Sequence, residues 1–247
     1  MLLHEHLENG ADKNPNFPFS EFEGNSLSYQ EANLLSNQLA NKLVSEGLEV
    51  GDRFAFLAKN CTEMAIMYYA ASKVGAVPVP LNYRLADQEW AYIINDSEAK
   101  LIIVKGNEYL GRINQISSEL KNVKKYISIS LDNSIEKFQD FYDWLSDSSN
   151  EKPTLKINEN DDVYQMYTSG TTGHPKGAVL LQRNVAANIR QYLNSLTLPR
   201  PSRTLLVAPM YHAAAMINMC GCIAIGGTIV IQEDFIPQDV VDCLANE

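Results

Sequence analysis

Apolar residues along this chain fall into two alternating rhythms. Short continuous runs such as Leu101-Ile102-Ile103-Val104 have the length of strands. Longer stretches place apolar residues three and four apart, as one face of a helix requires. The first such stretch follows a small hairpin predicted over residues 17–22 and 26–29, around Glu23-Gly24-Asn25. Ser28-Tyr29-Gln30-Glu31 has capping-box spacing and opens a helix with Leu35, Leu39 and Leu43 on one face and Gly47 as its stop. A strand is predicted over 54–58, a helix over 62–74 ending at Gly75, and a strand over 76–81. Pro78 and Pro80 require that strand to sit at a sheet edge or to bend early. Helices at 86–95 (buried stripe Trp90, Ile93 and Ile94), 109–120 and 135–145 alternate with strands at 101–104 and 125–130. The unbroken Leu-Ile-Ile-Val run is the pattern of a sheet covered on both faces.

Residues 146–153 read as a polar linker, with 147–150 its mobile part. Beyond it come a strand at 163–167, a helix near 184–196 and a strand at 204–208. An apolar helix near 213–225, a strand at 228–232 and a helix opened by Pro237 complete the chain. The alternation predicts an α/β fold, with helices layered around largely parallel sheets. Neither an internal repeat nor a low-complexity tract is present.

Composition narrows the function. With 247 residues the chain can bury a good core, and 45% hydrophobic against 20% charged residues is ordinary for a globular protein. A formal net charge of −10 argues against nucleic acid as partner. No apolar run reaches membrane-spanning length, and the N-terminus lacks a secretory signal, so the expected compartment is cytoplasmic. Cys61, Cys220, Cys222 and Cys243 are too few for a disulfide framework. Cys220-Gly-Cys222 is read as buried packing, and His4-x-His6 as part of a solvated N-terminal helix rather than a metal site. Met64, Met67 and Tyr68 are read as core.

The chemistry concentrates in Tyr167-Thr168-Ser169-Gly170-Thr171-Thr172-Gly173-His174-Pro175-Lys176-Gly177. Glycines let the backbone turn and bring its N–H groups close to an anion. Thr168, Ser169, Thr171 and Thr172 add hydroxyl donors, and Lys176 adds a mobile positive charge after the stiffening Pro175. Such a loop can grip nucleotide phosphates, each charge-assisted bond contributing on the order of 1.5–3 kcal/mol. A plain Ser/Thr/Gly surface loop is the bland alternative, but it does not require this order of residues. The stretch is not a common P-loop, because Pro175 stands where the second Gly of that motif belongs.

This stretch resembles the phosphate-loop signature of the acyl-adenylate-forming (AMP-binding) superfamily, Thr-Ser-Gly-Thr-Thr-Gly-x-Pro-Lys-Gly. Acyl-CoA synthetases, fatty-acid–CoA ligases, aryl-CoA ligases, luciferases and peptide-synthetase adenylation domains belong to it. All the named positions match. Residues 64–82 are similar to the family's early helix–strand element. Pro209-Met210-Tyr211-His212 is similar to its Pro-x-aromatic-His motif, which makes His212 a candidate beside the substrate carboxylate. Read bottom-up, a His after a strand is as readily structural.

The resemblance implies the superfamily's large N-terminal domain, truncated: residues 1–150 a first α/β subdomain, 151–247 the phosphate-loop and acyl-pocket part, and the C-terminal remainder absent. It implies ATP-dependent activation of a carboxylic acid, a fatty acid by preference, to an acyl-adenylate and then to acyl-CoA. ATP, Mg²⁺ and CoA are the implied cofactors, with Thr168, Ser169, Gly170, Thr171, Thr172, Gly173 and Lys176 on the nucleotide. Thr168 would also approach the metal, and His212 would border the acid. A homodimer is an allowed state. Leu181-Gln182 stands where many members have Ser/Thr-His. The downstream motifs for adenine, ribose, Mg²⁺ and the catalytic lysine are missing, so no catalytic residue is assigned and the isolated fragment is expected to be inactive. Aryl-CoA ligases, adenylation domains and a non-catalytic nucleotide-binding module remain alternatives.

Overall fold

The computed structural model describes residues 1–129, 135–168, 173–196 and 202–246. Three sheets organise it. The largest is five-stranded and wholly parallel, built from β3 (Arg53–Leu57), β4 (Val77–Pro80), β5 (Leu101–Val104), β6 (Lys125–Ser128) and β7 (Gln139–Asp140) in the order β4-β3-β5-β6-β7. Pro78 and Pro80 do place β4 at the edge, where a missing N–H leaves no partner wanting.

Both faces of this sheet are covered, which is why β5 reads as unbroken apolar sequence. Phe54, Phe56, Leu101, Ile103 and Ile127 join one core, while Ala55, Leu57, Ile102, Val104 and Tyr126 join another. The second core is closed by α4 (Asp87–Asp96) and α5 (Asn107–Ile116), through Trp90, Ile93, Ile94 and Ile113. The first is closed by α2 (Tyr29–Ser45) and α3 (Thr62–Val74). Ser28 caps α2 as its spacing predicts, accepting from the Glu31 N–H at 3.2 Å while Glu31 returns to the Ser28 N–H at 2.8 Å. Met64, Met67 and Tyr68 of α3 are core residues, and Gly75 ends that helix in the left-handed conformation at φ 71°.

A second sheet joins residues far apart in sequence. The hairpin β1 (Pro18–Phe22) and β2 (Asn25–Ser28) adds to β10 (Arg203–Leu206) and β11 (Thr228–Ile231), in the order β10-β11-β1-β2. β1 and β11 are parallel, with Ser20 opposite Ile229. The third sheet is the antiparallel pair β8 (Asp162–Thr168) and β9 (Lys176–Leu181). Helices α7 (Gln182–Ser195), α8 (Ala213–Ala224) and α9 (Pro237–Asn246) complete the described fold.

Four expectations need correction. The N-terminal helix exists as α1 (Leu3–Lys13), but it is not solvated: His4 is buried with Nδ1 3.0 Å from Ser72 Oγ. Burial lowers the pKa of His4. The helix predicted at 135–145 shrinks to α6 (Phe141–Leu145), because the Asp140 carboxylate accepts from the N–H groups of Tyr142 and Asp143 and starts the helix there. Residues 178–181, to which the sequence pattern assigns no element, lie in β9. The 146–153 linker is strapped to α2: Asn37 donates to the Asn150 carbonyl at 3.0 Å, Asn41 to those of Ser149 and Glu151, and Lys42 pairs with Asp147 at 2.7 Å. Cys220 and Cys222 are free and buried in α8.

Candidate functional site

The phosphate-loop sequence is the connection of a hairpin. β8 enters it and β9 leaves it, with Tyr167 opposite Gly177 and Thr168 opposite Lys176. Ser169, Gly170, Thr171 and Thr172 lie outside the described residues. Gly173 has φ 115°, a conformation that L side chains rarely adopt, and open space lies where its Cβ would stand. Thr168 and Lys176 are exposed, and Lys176 makes no ion pair among the described residues. An exposed hydroxyl facing an uncompensated ammonium is a donor set suited to phosphate oxygens. Gly177 is held to glycine by its neighbours, since a Cβ there would run into Gln165 Nε2 and stand 2.9 Å from the Tyr167 ring.

The base of the hairpin is wired into the parallel sheet. Arg53 on β3 pairs with Asp162 at 3.3 Å and donates through Nε to Gln165 Oε1 at 3.2 Å. Gln165 donates to the Tyr167 hydroxyl at 3.0 Å, and that hydroxyl donates to Asp96 Oδ2 at 2.6 Å. Burial, reinforced by this bond to Asp96, holds the Tyr167 phenol well above its ordinary pKa.

His212 arrives from the other sheet. It caps α8, its Nδ1 accepting from the Ala214 N–H at 3.3 Å, and its ring is exposed. The segment before it is set by buried Asn60, whose Oδ1 accepts from the Met210 N–H at 2.7 Å. Asn60 Nδ2 donates to the carbonyls of Ala208 at 3.0 Å and Gln232 at 3.1 Å. Tyr68 donates to the Met210 carbonyl at 3.2 Å. Tyr211 packs edge-on against Tyr83 at 5.5 Å, and the Tyr83 hydroxyl reaches Asp234, which Lys59 also holds at 2.7 Å. The Lys59 ammonium beside it keeps the Asp234 carboxyl below the usual range.

A cavity of about 460 Å³ unites the two regions. Thr168 and Pro175 bound it from the hairpin, and Tyr211, His212 and Ala213 from the start of α8. Pro80, Leu85, Ile93 and Met166 make it largely apolar, with Asn82 and Glu89 as further polar groups. Thus Thr168 and His212, separate in sequence, share one cavity. Gly173 and Lys176 stand outside its lining.

A family model described as AMP-binding enzyme matches residues 7–247. The chain belongs to the AMP-binding enzyme family. Within this family it is 31% identical over 210 residues to the long-chain-fatty-acid–CoA ligase FadD13 of Mycobacterium tuberculosis, covering 85% of this chain and 40% of that protein. It is 30% identical over 225 residues to a feruloyl-CoA synthase of Amycolatopsis, covering 91% of this chain and 42% of that one. The N-terminal domain of FACL13 from M. tuberculosis superposes with a TM-score of 0.89 at 27% identity, over 99% of this chain and 60% of that one. The chain therefore spans about two fifths of the length of these curated relatives.

As a member of the AMP-binding enzyme family the chain has the expected α/β fold, matching the N-terminal domains of acyl-adenylate-forming ligases. Asn60, Asp96 and Gln165 carry no functional signal in the sequence. An isolated Asn after a strand and polar residues late in a helix carry no local signature of the distant groups they meet. Among the described residues no cluster of three or more His, Cys, Asp or Glu is placed to hold a metal, and no helix is long and apolar enough to cross a membrane.

Proposed function

We propose that this chain carries the phosphate-gripping and acid-facing part of an ATP-dependent acid–thiol ligase of the acyl-CoA synthetase type. The observation that carries the reading is the single cavity bounded by Thr168 and Pro175 on one side and His212 on the other. In the first half-reaction a carboxylate oxygen attacks the α-phosphorus of ATP, the bond to pyrophosphate breaks, and an acyl-adenylate results. In the second, the thiol of CoA attacks the acyl carbon and AMP leaves.

The chain's contribution is positional and electrostatic. Lys176 and the Thr168 hydroxyl are the described groups that face the phosphates, and Lys176 offsets charge on the departing pyrophosphate. Ser169, Gly170, Thr171, Thr172 and Gly173 complete the grip by their place in the motif. The Thr168 hydroxyl would offer an oxygen to Mg²⁺, which would supply positive charge against the nucleotide phosphates. His212 borders the acid, whose apolar body suits Leu85, Ile93 and Met166. A fatty acid is our preferred substrate, supported by the likeness to FadD13; the likeness to feruloyl-CoA synthase supports an aromatic acid as second reading.

Carboxylate-dependent ATP–pyrophosphate exchange tests this. It would compare the 247-residue chain with the product of the longest open reading frame containing it, across short, long and aromatic acids. Exchange in the longer product supports the ligase, and the best acid names its class. ATP binding with no exchange in either would replace the ligase with a nucleotide-binding module.

A further inference from the structure

Helix α4 touches the entering strand of the phosphate hairpin and the connection just ahead of its leaving strand. Tyr92 and Asp96 are four residues apart and so share one helical face. Asp96 accepts from the hydroxyl of Tyr167, the residue before Thr168, at 2.6 Å. Tyr92 stacks on His174 with ring centres 4.8 Å apart and planes 21° apart, two residues before Lys176. Each contact therefore lies next to one of the two described groups that face phosphate. Asp96 and His174 are exposed, where such contacts add little to global stability. Glu89 and Ile93, on the same helix, line the cavity.

We infer that Tyr92 and Asp96 are positioning residues for the nucleotide phosphates: α4 clamps the entering limb through Tyr167 and the connection just ahead of the leaving limb through His174. Together these contacts set the spacing of Thr168 and Lys176. The inference rests on the ligase reading, and it gives position 174, left open in the phosphate-loop signature, a particular role in this chain. An aromatic ring at 174 is what the clamp requires, because Tyr92 offers it a face rather than a hydrogen bond.

The experiment uses the product of the longest open reading frame containing this chain, with the variants Asp96→Ala, Tyr167→Phe, His174→Ala and His174→Phe. Backbone hydrogen exchange over 163–168 and 176–181, affinity for a fluorescent ATP analogue, and the KM and kcat of pyrophosphate exchange are measured. Asp96→Ala, Tyr167→Phe and His174→Ala should speed amide exchange in both limbs and weaken nucleotide affinity about 2- to 10-fold, the range of one aromatic pair. KM for ATP should rise more than kcat falls, and His174→Phe should restore all of these. Unchanged amide exchange and affinity in His174→Ala, failure of His174→Phe to recover, or a loss confined to the thermal midpoint would each overturn the clamp. Absence of pyrophosphate exchange in the unmodified protein would instead defeat the ligase reading, and amide exchange would still decide the clamp.

Discussion

Thr168 and Lys176 are cross-strand partners at the loop end of the β8–β9 hairpin. The hydroxyl and the ammonium are thereby presented together on a rigid pair of strands, at opposite ends of a glycine- and hydroxyl-rich connection. A ligand gripped there gains charge-assisted bonds without much ordering of the flanking backbone.

Lys176→Ala should raise KM for ATP about 10- to 100-fold, corresponding to the about 1.5–3 kcal/mol of one charge-assisted bond. The side chain is exposed, so the thermal midpoint should hardly move. Unaltered pyrophosphate-exchange kinetics would remove Lys176 from the site.

Gly177→Ala should destabilise the protein by about 1–3 kcal/mol, as expected of overpacking. The added methyl meets Gln165 and Tyr167, and both are already held by hydrogen bonds to Arg53 and Asp96. Urea unfolding measures the loss, and an unshifted midpoint would show that the pair yields freely.

Asn60→Ala should cost about 2–4 kcal/mol, because it strands one backbone donor and two carbonyls. Asn60→Asp should do little better, since it keeps the acceptor for Met210 but loses both donors. The variants should also raise KM for the acid by loosening residues 209–212, whereas stability loss alone would leave KM intact.

His212 does two jobs that substitution can separate. His212→Ala should lose about 1 kcal/mol of stability with the N-cap, while His212→Asn should keep it. Both should raise KM for the acid. If His212→Asn retains the KM of the unmodified protein, the histidine serves only as a cap.

Burial, with the Met1 ammonium adding to it, lowers the pKa of His6 to about 4. An unfolded histidine takes its proton near pH 6.5. Between these values the unfolded chain binds more protons, so stability rises with pH through this window. It is lost as pH falls below about 6.5. Buried His4 adds in the same direction. The urea midpoint should therefore drop between pH 7.5 and pH 5, and drop less in His6→Gln. Equal drops in both proteins would remove His6 from the acid response.

The sequence was most informative where the signal is local. Residues 62–74 were legible as a helix because Gly75 supplies its left-handed stop, and Ser28 with Glu31 announced the start of α2. The two prolines of β4 gave its place at an edge, since their missing N–H groups act wherever the strand lies. Misreadings arose where a distant partner decides. Apolar residues at 135–145 fit a helix, yet β6 captures Gln139 and Asp140 as a strand. His4 looked like a solvent-facing residue until α3 supplied Ser72. Strand β9 carries no alternating pattern, because among the described residues it pairs with β8 alone and its exposure follows no simple period.

The phosphate-loop motif and its chemistry were written in consecutive residues, because a turn, its hydroxyls and its lysine need only the local chain. So were the α/β alternation and the two-sided burial of β5, which follow from side-chain periodicity. Tertiary structure alone decided that the loop closes a hairpin, that β1 pairs with β11 across the whole sequence, and that Thr168 meets His212 at one cavity. It alone placed Tyr92 and Asp96 beside the hairpin. Such meetings depend on which apolar faces are buried together, and that is settled by the fold as a whole rather than by any stretch within it.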